Sequence, residues 1–244
     1  MKKTSNTGGA IERAAALLQE RGEMAGALAA AVEAHGQALE ACLGHGREVF
    51  VEAVRALYES DAALRRCGAE AVLSACMKAA RLRLPLSRKL RYVSVAAEGG
   101  RPVFRLGARG IVALCARAGG YRRINAGRVY EGELRGVDKL TGEPDLSGVR
   151  VPGGRVEGYF AYFEMANGYA RSLYRTVDEL APAVGEAPGA ERSEARFDEA
   201  ALCAVLRELL LCWGAMDAEL EMAFALEDGV PPARCRAPAG CAAG

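Results

Sequence analysis

The most informative stretch of the sequence, residues 106–121, reads LGARGIVALCARAGGY. Between residues 109 and 118 its apolar side chains recur every three or four positions, a spacing that predicts one buried face of a helix. Gly119-Gly120 follows directly, and glycine commonly ends helices because it adopts a left-handed backbone without strain. We therefore expect a helix over this segment that ends at the glycine pair.

A β-hairpin is predicted on each side of this helix. On the N-terminal side, RYVSVA at 91–96 alternates in polarity, and PVFRL at 102–106 follows a glycine turn. On the C-terminal side, residues 155–164 and 169–176 flank Asn167-Gly168, a pair typical of tight hairpin turns. The remaining connections are extended chain at 121–134 and loops at 136–154 and 181–190.

Helical patterns occupy both ends of the chain. Residues 10–84 are rich in Ala, Leu, Glu and Arg, and the segments 47–58 and 70–82 read as individual helices. Residues 197–213 and 217–227 continue the helical pattern near the C-terminus. This order predicts an α+β fold, in which a small, mostly antiparallel sheet of two hairpins plus a central helix is flanked by N-terminal and C-terminal helices.

Three regions are expected along the chain. Residues 1–70 form a variable helical N-terminal region that supplies contacts between subunits, and residues 71–228 form the functional core. Residues 229–244 are rich in Pro, Ala and Gly, which predicts a disordered tail.

Charge is distributed unevenly along the chain. The 244 residues carry 32 Lys and Arg against 31 Asp and Glu, and this net charge of +1 argues by itself against a nucleic-acid binder. Between residues 78 and 135, however, 14 basic residues face three acidic ones, a balance of +11 that leaves −10 for the rest. Residues 191–228 alone carry −7. Such asymmetry indicates a polyanionic partner or head-to-tail contact between subunits.

The basic segment contains the ingredients of a groove for single-stranded nucleic acid. Arginine binds phosphate through its forked donors, and aromatic rings in the same segment can stack on bases. Arg105 alternates with Phe104 and Leu106, so one face of that strand can be buried while the other is basic. A helix that begins near Arg109 can also meet a phosphate at its N-terminus. The candidate contacts are Arg88, Lys89, Arg91, Tyr92, Arg105, Arg109, Arg117, Tyr121, Arg122, Arg123 and Arg128.

Several classes of function lack their signatures in this sequence. The eight cysteines contain no C-x-x-C pair, which disfavours a zinc site, and no phosphate-binding loop of the G-x-x-x-x-G-K-[ST] type is present. We therefore expect no cofactor and no metal. The chain also lacks a signal-peptide pattern and an uninterrupted apolar run of about 18 residues, so we expect a cytoplasmic protein that does not contact membranes.

Five segments in a fixed order resemble the RecT family of phage recombinases. The stretch quoted first is similar to that family's central motif, and VYEGE at 129–133 to the extended segment that follows it. Upstream, ACMKAARLRLP at 75–85 resembles the family's helix before a proline, and GYFAYF at 158–163 resembles a later strand. FDEA at 197–200, with Arg207 after it, resembles the closing helix, so the resemblance adds Arg207 to the candidate contacts.

This resemblance implies a protein that binds single-stranded DNA and anneals complementary strands without ATP. Members assemble into rings or helical filaments, so a homo-oligomer and an annealed duplex intermediate are implied, with no catalytic residue. A phage exonuclease and a host single-strand-binding protein are the implied partners, and a phage or prophage in a bacterial host the implied source. Because Leu202-Cys203-Ala204 stands where relatives usually carry lysines and a threonine, Arg207 is the one basic residue retained there.

The sequence is also compatible with two other functions. A structural or regulatory protein can use the basic and acidic regions for self-association without annealing DNA. A metal-dependent nuclease needs clustered carboxylates, and Asp138, Glu143 and Asp145 are the candidates for such a cluster.

Overall fold

The computed structural model describes residues 22, 25–184 and 191–227, which divide into two compact units. The first unit comprises the chain up to Arg88 together with Val93–Phe104. The second unit comprises Lys89–Tyr92 and the chain from Arg105 onward. This division differs from the predicted boundary at residue 70, which stays a prediction.

The first unit consists of helices and one hairpin. Its core is formed by side chains such as Leu39, Val54, Leu64 and Leu73, which are fully buried. Burial of each such side chain contributes about 1.5–3 kcal/mol, which holds these short helices together. The elements are α1 (25–34), α2 (Gly36–Leu43), α3 (Arg47–Ser60), α4 (Ala62–Arg66), α5 (Ala69–Arg81), β1 (Val93–Glu98) and β2 (Arg101–Leu106), whose last two residues belong to the second unit.

The second unit is built around an antiparallel sheet covered by a long helix. Its elements are α6 (Ala108–Ala118), β3 (Tyr121–Tyr130), β4 (Gly136–Val137), β5 (Pro144–Asp145), β6 (Val156–Met165), β7 (Ala170–Thr176), α7 (Val177–Val184), α8 (Glu191–Trp213) and α9 (Ala218–Leu226). The sheet has the order β3-β6-β7, and β4 pairs only with β5 in the described chain.

One face of this sheet packs against α8. Ala161 pairs with Ala126 and Leu173 in the two neighbouring strands, which places these three residues on the same face. Tyr159 and Phe163 flank Ala161 on that face and are almost completely buried, and the Tyr159 ring contacts Phe197 of α8. Leu206, Leu209 and Leu210 of α8 are fully buried. The core of the unit therefore lies between sheet and helix.

The structure confirms the α+β class and most predicted elements. Helix α6 ends at Gly119 in the left-handed conformation, as the glycine pair predicts. The first hairpin turns at Gly99-Gly100 and the second at Asn167-Gly168. The described strands form three separate antiparallel sheets, however, and not a single small one. β3 joins the second hairpin, while the first hairpin forms its own sheet.

Two predicted loops contain regular structure. Residues 181–184 belong to α7, because Thr176 and Glu179 form a reciprocal cap at its start: each side chain accepts the other residue's backbone N–H, at 3.2 and 2.9 Å. Residues 176–179, TVDE, have the spacing typical of such a cap, and this spacing predicts a helix rather than the expected loop. Within 136–154, β4 and β5 form a short pair. The extended stretch is also shorter than predicted, since β3 ends at Tyr130. The predicted tail lies outside the described residues.

Candidate nucleic-acid interface

A tight turn before β1 carries exposed cations of the second unit. Gly107 anchors this turn: its N–H donates to the Tyr92 carbonyl at 2.9 Å. A Cβ atom on Gly107 would lie 2.1 Å from the carbonyl oxygen of Arg91, so a side chain is excluded there. Arg91 itself has a φ of +54°, in the left-handed region that non-glycine residues rarely adopt. The turn is thus held in one conformation.

Three cations surround this turn, and we call Lys89, Arg91 and Arg109 the basic turn. All three residues are exposed. The Arg109 guanidinium donates to the Leu90 carbonyl at 3.4 Å, which holds it beside the turn. Arg91 lies 3.9 Å from Glu199, and 61% of its side chain is exposed. Tyr92, at the end of the turn, is half-buried.

The N-terminus of α6 is already occupied by a carboxylate. Glu199 Oε1 accepts the N–H of Ala108 at 3.0 Å, and the N–H of Leu106 just before it donates to Glu227 at 2.7 Å. The Ala108 N–H is one of the first backbone donors of the helix, to which a phosphate at the N-terminus would also bind. The Glu199 carboxylate therefore competes with a phosphate at the start of α6, and the expectation of a phosphate beside Arg109 stays a prediction.

A second pair of exposed arginines lies at the start of β3. Arg122 is 2.9 Å and Arg123 is 3.3 Å from the Glu164 carboxylate, with 63% and 66% of their side chains exposed. One carboxylate faces two guanidinium groups, so this pair keeps one positive charge in excess. The Glu164 side chain is 13% exposed, so the carboxylate is half-buried while the two guanidinium groups reach solvent.

Several other candidate residues are held by acidic residues of the C-terminal helices. Arg117 lies 3.0 Å from Glu219 of α9. Arg128 lies 2.5 Å from Asp198 of α8, which also accepts the hydroxyl of Tyr159. Burial and this hydrogen bond to Asp198 raise the pKa of Tyr159, so the hydroxyl keeps its proton. The side chains of Arg128 and Arg117 are 43% and 35% exposed, against 61% for Arg91 of the basic turn.

The remaining candidates in the basic segment have mixed placements. In the first unit, Arg88 is exposed and lies 3.3 Å from Asp61, whose side chain also accepts the N–H groups of Ala63 and Leu64 at the start of α4. Arg105 is half-buried between the buried Phe104 and Leu106, as the alternation predicts.

Tyr121 is a packing residue in this structure. Its hydroxyl donates to the Ala215 carbonyl at 2.9 Å, and its ring meets Phe163 edge-on with centroids 5.5 Å apart. Burial raises the pKa of its hydroxyl to about 12. A ring held at its edge and at its hydroxyl is poorly placed to stack on a base, so the structure argues against the predicted stacking role.

Comparison with known proteins identifies the family. The model of the RecT family matches residues 48–182, more than half of the chain. The chain belongs to the RecT family. It is also 32% identical over 195 residues to an uncharacterized protein, YqaK, of Bacillus subtilis (strain 168), an alignment that covers 78% of this chain and 67% of YqaK. RecT proteins are single-strand annealing proteins of phage recombination, and membership assigns this chain to that class.

The RecT match begins upstream of the resemblance recognised in the motifs and ends before α8. Residues 48–70 thus belong to the family match, whereas FDEA at 197–200 and Arg207 lie beyond it. Arg207 is buried, pairs with Glu227 and lies 4.5 Å from the centre of the Phe224 ring. Burial lowers the pKa of its guanidinium to about 10. The placement argues against the contact between Arg207 and DNA that the closing-helix resemblance suggested.

One buried cation of this RecT protein was not among the sequence candidates. Arg175 of β7 is 7% exposed and forms a bidentate pair with Glu208 of α8, with donor–acceptor distances of 2.5 and 3.2 Å. The pattern ARSLYRT gives no sign of this pair, because Glu208 lies 33 positions further along the chain. Burial of an arginine on the sheet face that packs against a helix requires such a partner.

The acidic C-terminal region therefore serves as an internal partner of the RecT core. Within the second unit, Asp198, Glu199, Glu208, Glu219 and Glu227 all contact arginines. Three of these five arginines, Arg91, Arg117 and Arg128, lie in the basic segment, so the acidic region neutralises part of that segment within the same chain.

The acidic loop residues have a local role. Asp138 accepts the N–H groups of Leu140 and Thr141 at 2.8 and 2.7 Å, and these bonds lower its pKa. Asp145 accepts the N–H of Ser147 at 3.0 Å. Across the described chain, no three His, Cys, Asp or Glu side chains are grouped so as to hold a metal ion. Likewise, no helix in the described ranges is long and apolar enough to span a membrane.

Proposed function

We propose that this RecT protein binds single-stranded DNA and anneals complementary strands without a nucleotide cofactor, acting as a homo-oligomeric ring or filament. The observation that supports this most is the basic turn, where Lys89, Arg91 and Arg109 are exposed around a backbone fixed by Gly107. Fixed cations bind a phosphate backbone at a smaller entropic cost than mobile ones.

The chemistry that annealing requires is modest. Two strands repel each other through their phosphates, so neutralisation of one strand lowers the barrier to pairing. No bond is formed or broken, so cations and a surface that keeps the bases accessible are sufficient. Each phosphate contact releases bound counterions, and affinity falls with salt at a slope of about −0.7 per contact for single strands.

The proposed contacts follow the exposure of the candidate residues. The basic turn carries the main contact, and Arg122 with Arg123 carries a weaker one because Glu164 neutralises part of its charge. Tyr92, Arg105 and the first unit's Arg88 stay in the proposal as supporting contacts. Arg117 and Arg128 are bound to acidic residues, and Arg207 and Tyr121 are packed inside the unit, so we assign these four residues to the structure of the core.

The direct test is annealing of two complementary fluorescent oligonucleotides in the absence of nucleotide and metal. We expect pairing faster than the spontaneous rate at low salt, and a loss of this acceleration as salt rises. A variant with Ala at Lys89, Arg91 and Arg109 serves as the matched control, and its acceleration should be largely lost. Pairing at the spontaneous rate with the unmodified protein, at both low and moderate salt, would reject the proposal.

The assembly and its partners can be tested separately. Electron microscopy with one strand, followed by addition of its complement, should show rings or filaments that retain the annealed duplex. A phage exonuclease and a host single-strand-binding protein are the proposed partners, in the bacterial cytoplasm. Co-purification of either with the tagged protein from phage-infected cells would support this, and a monomer on DNA would contradict the proposed assembly.

A further inference from the structure

The face of the β3-β6-β7 sheet opposite α8 carries a row of aromatic side chains. The register pairs Phe160 with Gly127 and Tyr174, and pairs Tyr162 with Asn125 and Ser172. Paired residues share a face, and alternate residues of a strand point the same way. Phe160, Tyr162 and Tyr174 thus lie together on the face that α8 does not cover, and we call these three rings the aromatic face.

The exposure of these rings differs from that of the rings beneath α8. Tyr159 and Phe163, on the helix side of the same strand, are 1% and 0% exposed. Phe160 and Tyr162 alternate with them and are half-buried, as is Tyr174 on the neighbouring strand. The aromatic face therefore presents ring surface to solvent, and an exposed apolar patch with polar residues around it is typical of a binding site.

Two glycines let the rings lie across the sheet. A Cβ atom on Gly127 would lie 2.7 Å from Cε1 of Phe160, and one on Gly158 would lie 2.5 Å from the Tyr174 hydroxyl. Each ring thus occupies the space that a side chain on the neighbouring strand would fill. The rings therefore lie close to the backbone of the sheet, as in a platform on which bases can stack.

The groups around the rings are polar and basic. Asn125 is exposed and Ser172 half-buried on either side of Tyr162, and Arg123 and Glu164 form the next pair along the same face. Arg122 and Arg123 share the single carboxylate of Glu164, so this end of the face keeps a positive charge. Rings that bind bases, polar groups that reach base edges, and arginines for the phosphates together match a single strand of nucleic acid.

We propose that the aromatic face binds the bases of single-stranded DNA by stacking on Phe160 and Tyr162. The inference rests on the proposed function and adds to it a base-contacting surface, distinct from the basic turn that contacts phosphates. A second copy of the chain is the alternative occupant. It matches this face less well, because the buried centres of protein interfaces are depleted in charged residues, whereas Arg123 and Glu164 lie beside the rings here.

The test separates base contacts from phosphate contacts. Affinity is measured for a fluorescent oligo-dT strand and for a strand of equal length in which abasic sites replace the interior nucleotides. In the double variant Phe160→Leu and Tyr162→Leu, apolar volume over Gly127 is retained while the ring faces are lost. We expect affinity for oligo-dT to fall about tenfold or more, as removal of stacking rings does elsewhere, with affinity for the abasic strand unchanged.

The matched control is Tyr169→Leu, which removes an exposed ring in the turn of the same hairpin. Tyr169 is 37% exposed and contacts Phe163, on the helix side of the sheet. Its loss should leave both affinities unchanged. Equal affinities of the double variant and the unmodified protein for oligo-dT, or an equal loss for both strands, would overturn the proposal. A changed oligomer size with the preference for bases intact would assign the face to a second copy instead.

A measurement on the unmodified protein covers the case in which the double variant fails to fold. Photo-cross-linking of a strand that carries 5-iodouracil should join the base to peptides containing residues 156–165 or 170–176. Cross-links confined to other peptides would overturn the inference while leaving DNA binding established. If the unmodified protein bound neither strand, the proposed function itself would fail, and the inference with it.

Discussion

Arg175 and Arg109 lie in the same compact unit but in opposite surroundings. Arg175 belongs to a seam between the sheet and α8, in which Arg128 and Arg175 pair with Asp198 and Glu208 and each carboxylate is less than one fifth exposed. Arg109 belongs to the basic turn, where it is exposed and donates to the Leu90 carbonyl. We call the first group the α8 seam.

This difference shows that an excess of basic residues in a sequence does not tell how many cations are exposed for binding. In the α8 seam, the buried Arg175 guanidinium leaves water because the Glu208 carboxylate replaces its hydration, while Arg128 stays 43% exposed beside Asp198. In the basic turn, the backbone holds the cations at the surface, and the Glu199 carboxylate that lies 3.9 Å from Arg91 is itself 31% exposed. Substitutions in the α8 seam should therefore change stability, whereas substitutions in the basic turn should change DNA affinity.

Substitution of Arg175 by Met should destabilise the protein by about 3–5 kcal/mol, because Glu208 is left as a buried, unpaired charge. Urea unfolding measures this loss. The double variant Arg175→Met with Glu208→Met should recover most of it. Single-strand affinity of the folded fraction should stay unchanged, and a loss of affinity at full stability would instead place Arg175 in the DNA interface.

Substitution of Gly107 by Ala should weaken both stability and DNA binding. The new Cβ would meet the Arg91 carbonyl at 2.1 Å, so the turn that carries the cations must shift, at a cost of about 1–3 kcal/mol. Gly120→Ala is the matched control, since its nearest neighbour is the flexible end of Met165 at 3.8 Å. If the Gly107 variant bound DNA normally, the fixed turn would not be needed for the contact.

Removal of two cations from the basic turn should reduce affinity without affecting the fold. For Lys89→Ala with Arg109→Ala we expect a loss of about tenfold at low salt and a salt slope smaller by about 0.7 for each contact removed. Titration at several salt concentrations measures both. The control pair Arg135→Ala and Arg155→Ala removes equal charge from exposed sites elsewhere in the unit, and an equal loss there would show that only net charge matters.

The smallest effect is expected at Arg122 and Arg123. Because both arginines share Glu164, replacing both with Ala should reduce the salt slope by about one contact and not two. Glu164→Gln should have the opposite effect and strengthen binding, since it releases both guanidinium groups. Titrations of the two variants side by side check the signs, and a Gln variant that binds more weakly would show that Glu164 positions the arginines for DNA.

The elements that the sequence predicts correctly depend on short-range signals. The helix before Gly119-Gly120 and the hairpin at Asn167-Gly168 are encoded within a few residues, and both are present. The cap formed by Thr176 and Glu179 was also readable but was overlooked. The sequence does not predict which strands share a sheet. β3 ends at Tyr130 and pairs with β6, which begins only at Val156, so the pairing depends on residues far apart in the chain.

For the predicted site, too, short-range features of the sequence are predictive and long-range contacts are not. Residue type and local charge identify the basic segment, and the exposed Lys89, Arg91 and Arg109 fall within it. The structure argues against a DNA contact at Arg207, which pairs with Glu227, and places the Glu199 carboxylate at the start of α6, so both places hold carboxylates from α8 and from the chain after α9. The sequence does not predict the aromatic face, because its rings alternate with buried core rings along the same strand.

By itself, the sequence determined the class of fold, the family and the inventory of charges, since these depend on residue types and on neighbours a few positions apart. Tertiary structure decided which charges are available. Glu208 reaches Arg175 across 33 positions, and Glu199 reaches the start of α6 across 91. Such pairs form only when helix and sheet pack together, because burial removes water and makes a guanidinium or a helix end depend on the carboxylate that packing brings to it.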